Sequence, residues 1–143
     1  MSSTGEAIQS AIVAALRGNP ELVSIVGVRI YDDTPHDQEN IDTAFPRVSI
    51  GSLSENEYGA QDVDMSQFTI TVECWSRGLG KKQCEGMMHL VREAVIGQYA
   101  SKPHLATTGK IVSMMFDLSD GPRRENDGKT YHGFIRFRGI IQY

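Results

Sequence analysis

The sequence contains only two cysteines, Cys74 and Cys84, and their spacing matches no metal-binding motif. A chain of 143 residues buries about two-thirds of its unfolded surface, so it needs no disulfide framework. No apolar run approaches the ~18 residues of a membrane-spanning helix, and the first residues lack the basic and then apolar pattern of a secretion signal. We therefore predict a globular cytoplasmic protein without a membrane segment, whose two thiols are buried and reduced.

Basic residues are too few for a general nucleic-acid-binding surface. The chain has 14 Lys and Arg against 18 Asp and Glu, a formal net charge of -4, whereas phosphate binding needs clustered cations. The charge is also uneven, because segment 32–64 holds nine acids and one base, Arg47, leaving nine acids and thirteen bases elsewhere. This asymmetry predicts either two differently charged surfaces, suited to head-to-tail contact between identical copies, or a set of solvated loops.

Apolar residues at helical spacing predict three helices. Ile8, Ala11, Ile12, Ala15 and Leu16 form one apolar stripe, which predicts a helix over 4–17. Asn19-Pro20 can begin a short second helix that runs to about Ile25. The third helix is predicted over 79–98, with Pro103 preventing its continuation.

Alternating apolar and polar residues predict the strands. They are expected at 28–31, after Phe45-Pro46, at 67–74, at 111–118 with Val112 and Met114 facing the core, and from Thr130 to Tyr143. We expect a loop at 32–45, a hairpin tip or flexible arm at 54–59, and a turn-rich loop at 119–129. The predicted fold is a single α+β domain over 1–143, a two-layer sandwich. In it, one long and one N-terminal helix cover one face of a largely antiparallel sheet of about four to five strands.

Two segments contain residues that could carry chemistry. The segment 32–37 groups three carboxylates with His36 and could hold a metal or supply an acid–base pair, but its spacing is better explained as a polar loop. The segment 78–82 follows a strand and opens a helix, but Gln83 replaces the third glycine of a dinucleotide-binding fingerprint. We therefore predict no catalytic residue, no metal site and no bound cofactor.

Three large side chains are predicted on the polar faces of their strands. Trp75 points off the core face and either packs under a loop or contributes to a protein interface. Arg136 and Arg138, two residues apart, could line a groove, meet the acidic segment of a neighbouring copy, or simply be solvated.

Four segments of the sequence have an order and spacing that match a known family. They are 28–33 (VRIYDD), 45–51 (FPRVSIG), 72–78 (VECWSRG) and 127–138 (DGKTYHGFIRFR). Together they resemble the tail completion family of long-tailed bacteriophages and phage-like particles, also called tail terminator or head–tail joining proteins. The resemblance covers nearly the whole chain, and the ordered set is more specific than any one segment.

The resemblance implies a non-enzymatic structural protein of the virion tail or neck, present in the host cytoplasm before assembly. It implies a ring, commonly a hexamer, whose partners are further copies of the chain, the tail tube protein, and the head connector or stopper protein. DNA would pass through the lumen without specific binding. One alternative is another neck or tube component, such as a stopper ring or a tail tube subunit. A second is a small metal- or ligand-binding enzyme that uses Asp32, Asp33 and His36.

A ring requires two different surfaces on each copy, and the charge asymmetry suggests where they lie. The acidic segment could meet basic residues of a neighbour, or it could face the lumen and repel DNA phosphates. The residues predicted at protein interfaces are Asp32, Asp33, Glu55, Glu57, Tyr58, Asp62, Asp64, Trp75, Arg123, Arg124, Arg136 and Arg138.

Overall fold

The computed structural model describes residues 4–58, 64–78, 80–99, 104–106 and 109–143. In this part of the chain there are three α-helices: α1 (Thr4–Arg17), α2 (Pro20–Val26) and α3 (Lys82–Tyr99). Two short 3-10 turns, His36–Gln38 and Asp42–Ala44, lie in the loop after the second helix. No helix in the described ranges is both long and apolar enough to cross a membrane.

The described residues form one six-stranded sheet. Its strands are β1 (Ile30–Tyr31), β2 (Arg47–Tyr58), β3 (Met65–Arg77), β4 (His104–Ala106), β5 (Gly109–Arg124) and β6 (Thr130–Gln142). The spatial order is β1-β2-β3-β6-β5-β4, and β1 with β2 is the one parallel pair in it. Helices α1 and α3 pack on the same side of this sheet. The predicted α+β sandwich with a largely antiparallel sheet is therefore confirmed.

A side-chain cap and a glycine determine where α2 begins and ends. The Asn19 side chain accepts a hydrogen bond from the Leu22 amide at 3.0 Å, which caps the start of α2. Gly27 ends that helix with a positive φ of 60°, a conformation that glycine adopts without steric cost. Asn19 thus fixes the beginning of α2, and Gly27 lets the chain turn from its end towards β1.

The core lies between the helices and the inner face of the sheet. In β3, Phe68, Ile70, Val72 and Cys74 are buried and alternate with half-buried residues, as the period-two pattern predicted. Phe137, near the middle of β6, is fully buried beside them. Since burying one such side chain is worth about 1.5–3 kcal/mol, this face supplies most of the apolar stabilisation.

Two glycines of β6 allow large core side chains to lie directly against the strand. A Cβ atom on Gly139 would collide with the Phe68 ring, and one on Gly133 would collide with the Met88 thioether. The absence of side chains at these two positions therefore shapes the packing of β3 and α3 on β6.

Two strands extend further than the sequence predicted. The expected hairpin tip or arm at 54–59 is wrong, because β2 continues to Tyr58 and pairs with β3 as far as Met65. The expected loop at 119–129 is wrong in its first half, because β5 continues to Arg124. A register shift between Asp120 and Arg123 accommodates the intervening Gly-Pro dipeptide within the strand. Both extensions are polar, so they lack the apolar alternation on which the prediction depended.

A bulge in β5 changes which residues face the core. We predicted Val112 on the core side with Met114, but the register shifts between Ile111 and Ser113. As a result Ile111 is buried and Val112 is only half-buried. The sequence did not predict β4. At the end of the predicted last strand, Tyr143 is 50% exposed and lies outside the core.

Candidate interaction surface

Arg77 ties the polar loop 32–46 to the outer face of the sheet, which no described helix covers. Its Nε donates to Thr130 Oγ1 at 2.8 Å, and its Nη1 donates to the Asn40 carbonyl at 3.0 Å and to Asp42 Oδ1 at 2.6 Å. The bond from Arg77 lowers the pKa of the Asp42 carboxyl from its usual value. The Arg77 side chain thus joins β3, β6 and the loop. The hydrogen bonds are charge-assisted and therefore among the stronger ones in proteins.

Arg47, the first residue of β2, holds the same loop at a second point. Its Nη1 donates to the carbonyls of Gln38 and Glu39 at 3.3 and 3.1 Å. The residue is only 4% exposed, and this burial lowers the pKa of its guanidinium, an effect that the nearby Glu39 opposes. The Phe45 ring centroid lies 4.3 Å from the Arg47 Cζ and 4.0 Å from the Arg77 Cζ. The loop is thus fixed to the sheet by two cation–π contacts as well as hydrogen bonds.

Trp75 packs against a histidine on the same outer face. The rings of Trp75 and His132 stack with their centroids 3.7 Å apart and their planes 6° apart. His132 Nε2 lies 3.0 Å from Glu73 Oε1, and His132 Nδ1 lies 3.2 Å from Glu125 Oε1. Carboxylates therefore lie beside both ring nitrogens of His132 and hold the ring in its stacked position. Trp75 is therefore packed against His132 beside the loop, and its role at a protein interface stays a prediction.

A concave space of about 530 Å³ lies between the loop and the outer face. The carboxylates that line it belong to Asp33, Glu39, Glu73, Glu125 and Asp127, and its two cations are Arg47 and Arg77. A hydrogen bond from the Thr130 hydroxyl, followed by backbone amides, lowers the pKa of Asp127 to about 2. Several of these charged groups already form ion pairs within the chain. The groove therefore presents carboxylates and cations together, and not the single type of ligand that an anion or a metal ion requires.

The two thiols lie in the core, away from this groove. Cys74 and Cys84 are both free and buried, as predicted. Burial raises the pKa of Cys74 well above its usual value and raises that of Cys84 to about 11. Because the thiolate is the reactive form of cysteine, neither residue is poised to act as a nucleophile at neutral pH.

The segment considered as a metal site is spread along an exposed loop. The His36 side chain is 99% exposed and its Nδ1 lies 3.5 Å from Glu39, and Asp32 and Asp33 are exposed as well. Within the ranges that the structure describes, no group of three or more His, Cys, Asp and Glu residues could hold a metal ion. The structure therefore does not bring Asp32, Asp33 and His36 together as a metal centre.

Arg136 and Arg138 face away from the core, as predicted, and both approach an acid of their own chain. Asp117 Oδ2 accepts a hydrogen bond from Arg136 Nε at 2.6 Å, and Asp117 Oδ1 lies 3.6 Å from Arg138 Nε. Asp117 occupies a bulge in β5 between Phe116 and Leu118, where the register with β6 shifts. This partner could not be predicted, because a bulge cannot be recognised from the alternation of residues alone.

The two arginines near the end of β5 also have partners within the chain. Arg123 forms an ion pair with Asp120 at 2.7 Å. Arg124 donates to the Tyr131 hydroxyl at 3.1 Å, and its Cζ lies 5.7 Å from the centre of that ring. Both side chains nevertheless remain exposed at the end of the sheet where the loop 32–46 lies.

The acidic candidates fall at the two ends of the sheet, on the side where β2 lies. Asp32 and Asp33 directly follow β1, whereas Glu55 and Glu57 lie near the far end of β2, and all four are exposed. Asp64 is exposed just before β3. Asp62 lies outside the described residues, as does the side chain of Tyr58. The structure thus separates the acids into two groups rather than one patch.

A comparison with known protein families gives the class of this protein. Residues 10–142 match the family model described as tail completion protein gp17. Because the match spans almost the whole chain, the protein belongs to the tail completion protein family. The resemblance carried by the four sequence segments is therefore confirmed, together with the structural role in a virion tail or neck that it implied.

Solved structures show the same fold. A chain from the virion of a native gene transfer agent (GTA) particle superimposes with a TM-score of 0.83, at 18% identity, over 100% of both chains. Bacteriophage SPP1 gp17 superimposes with a TM-score of 0.60, at 20% identity, over 96% of this chain and 91% of that one. No curated protein sequence matches the chain.

Proposed function

We propose that this protein completes the tail by forming a ring, a hexamer, that caps the tail tube and joins it to the head connector. The observation that carries the proposal is the family match over residues 10–142. The whole-length likeness of the fold to a chain of a gene transfer agent particle supports a place in a tailed particle. The partners are then further copies of the chain, the tail tube protein, and the head connector or stopper protein.

The charge distribution of the molecule is compatible with a ring. Closed rings with one kind of subunit need a heterologous interface, in which two different surfaces of each copy meet. The exposed acids Glu55 and Glu57 lie on β2, near one edge of the sheet, whereas Lys110 and Arg124 lie on β5, towards the opposite edge. Opposite charges at opposite edges favour contact between copies in a single orientation.

The protein acts in this proposal without catalysis. Its thiols are buried with raised pKa values, and the outer groove is lined by charges that already interact within the chain. Binding energy between copies and with adjoining rings is sufficient for the role, since several weak contacts acting together hold tightly.

Electron microscopy of particles assembled without this protein tests the proposal. Overlong tails, or finished tails that fail to join filled heads, are the expected result, and a copy of the gene supplied in trans should restore joined particles. Normal tails attached to leaking heads would instead identify a stopper ring. Normal, joined and DNA-filled particles would contradict a role in tail completion.

Reversing the charges of Asp62 and Asp64 distinguishes two places for the acidic residues. If these residues lie between copies, the variant should lose ring formation. If they line the lumen, rings should form normally while DNA ejection is impaired, because the added lysines would attract phosphates. Rings and ejection that both remain normal would remove these two acids from the proposed interface.

A further inference from the structure

Each edge of the sheet leaves part of a long strand without a partner among the described residues. On one side, β1 pairs only with Val48 and Ser49, which leaves the rest of β2 as an open edge. On the other side, β4 pairs with β5 only from Gly109 to Ile111, which leaves the remainder of β5 open. Open edges carry unpaired backbone N–H and C=O groups and are templates for pairing with another chain.

The open parts of the two edges lie at the same height in the sheet. Leu53, Ile70, Phe137 and Phe116 are paired side by side and form one row across β2, β3, β6 and β5. The next three rows follow without a register shift, and the last of them joins Asn56 of β2 to Ser113 of β5. Residues 53–56 of β2 and 113–116 of β5 are therefore two unbroken four-residue stretches in matching rows. If copies stand side by side without an axial shift, these stretches meet.

The strand directions make this contact antiparallel. From β2 to β5, each successive pair in the order β2-β3-β6-β5 is antiparallel, so β2 and β5 of one copy run in opposite directions. In a ring all copies have the same orientation relative to the axis. When β5 of one copy lies beside β2 of the next, the two strands therefore run antiparallel, the more stable form of pairing per residue.

The side chains of the two stretches suit each other. Neither stretch contains the lysine or proline that natural proteins use to block open edges. Leu53 and Phe116 both lie on the helix side of the sheet, where each is only partly buried against the core. Pairing between copies would place these two side chains next to each other and continue the apolar row across the interface.

Charge at the same height is also complementary. Glu55 lies on the helix side of β2, exposed, where it accepts a hydrogen bond from the Thr4 hydroxyl at 2.8 Å. On the helix side of β5, the Arg92 Cζ lies 3.9 Å from the centre of the Phe116 ring, and no described carboxylate forms an ion pair with Arg92. If residues 53–56 and 113–116 pair between copies, Glu55 of one copy and Arg92 of the next lie on the same side of the sheet with opposite charges.

We propose that copies of this chain join by β-sheet continuation, with residues 113–116 of one copy pairing antiparallel with residues 53–56 of the next. The inference rests on the proposed ring and names the surface through which the ring closes. In this pairing, Leu53 of one copy contacts Phe116 of the next, and Glu55 lies near Arg92 of the next.

Cysteine pairs on the outer face of the two strands test the pairing. Three double variants each carry Met115→Cys and one of Ser52→Cys, Ser54→Cys or Asn56→Cys in the same chain, and the assembled particles are oxidised. Within one copy, Ser54 and Met115 are three strand spacings apart, about 14 Å, so a disulfide can form only between copies. Cys74 and Cys84 are buried and do not interfere.

The expected result is loss of the monomer and a ladder of covalent multimers for one of the three pairs, which also gives the register. The matched control combines Met115→Cys with Thr69→Cys, which lies on the same face but on the interior strand β3 and should stay monomeric. A second series carries Ser113→Cys in place of Met115→Cys, and it provides the test if the Met115→Cys variants fail to assemble. If joined particles form but neither series cross-links beyond the control, the pairing is wrong while the proposed function stands. Normal particles in the absence of the chain would instead contradict the function itself.

Discussion

The two faces of the sheet are built by different means. The inner face is covered by α1 and α3 and is packed with apolar side chains such as Phe68 and Phe137. The outer face carries mainly polar side chains, with a few apolar ones such as Trp75 and Met115. At one end of this face, two arginines bind the loop 32–46. We therefore expect the inner face to determine the free energy of unfolding of the whole chain. Substitutions on the outer face and at the open edges should change local contacts but leave the fold intact.

The largest expected effect is on the inner face. Phe137→Ala removes a fully buried ring in the middle of β6 and should lower the free energy of unfolding by about 3–5 kcal/mol. Urea denaturation of the purified chain measures this. The matched variant on the outer face of the neighbouring strand, Met115→Ala, removes a side chain that is 47% exposed and should change stability by about 0.5 kcal/mol. Equal losses for the two variants would contradict the division between the faces.

An intermediate effect is expected where Arg77 holds the loop. Arg77→Ala leaves the Asn40 carbonyl and the Thr130 hydroxyl without their donor and should cost about 1–3 kcal/mol. Hydrogen exchange should accelerate first in the loop 32–46, while the amides of β6 stay protected. Arg123→Ala, which removes an exposed ion pair, is the control and should cost no more than about 1 kcal/mol. Uniform acceleration over the whole chain would show that Arg77 stabilises the core instead.

A smaller effect should depend on pH. The folded-state pKa of Asp127 is about 2, below its usual value of 3.8, because hydrogen bonds from Thr130 and the backbone favour the carboxylate. This residue therefore contributes stability that is complete above about pH 4 and is lost as the pH falls towards 2. Asp127→Asn should flatten the decrease in stability over that interval, as followed by thermal unfolding. The control Asp37→Asn, in the exposed loop, should leave the slope unchanged.

The smallest effect on folding is expected at the edges, where the effect on assembly is largest. Glu55→Arg and Arg92→Glu each change one exposed charge and should alter stability of the isolated chain by about 0.5 kcal/mol. Each single variant should reduce the fraction of tails joined to heads in electron micrographs, through repulsion across the interface. The double variant restores opposite charges and should recover joining. A double variant no better than the poorer single one would argue against this contact.

The same contrast explains how much of the molecule the sequence could predict. The helices and β3 were predicted correctly, because burial of one face imposes a period of 3.6 or 2 on residues such as Ile12 and Ile70. The far part of β2 was missed because it is polar on both faces, and its Glu55 faces the helix side without being buried.

The loop contacts could not be predicted for another reason. Three of the hydrogen bonds from Arg47 and Arg77 go to backbone carbonyls, those of Gln38, Glu39 and Asn40, and every residue type carries a carbonyl. The residue types in the loop therefore do not predict the hydrogen bonds to these carbonyls. The one available signal was an arginine at position 47, at the beginning of a predicted strand, since a buried cation requires partners.

A reconstruction of the neck of the assembled particle by electron microscopy tests the central claim most directly. The account predicts a single ring of this chain between the end of the tail tube and the head connector, with the sheet of each copy continuing into that of the next. Finding the chain repeated along the tube, or missing from the neck of a joined particle, would contradict it.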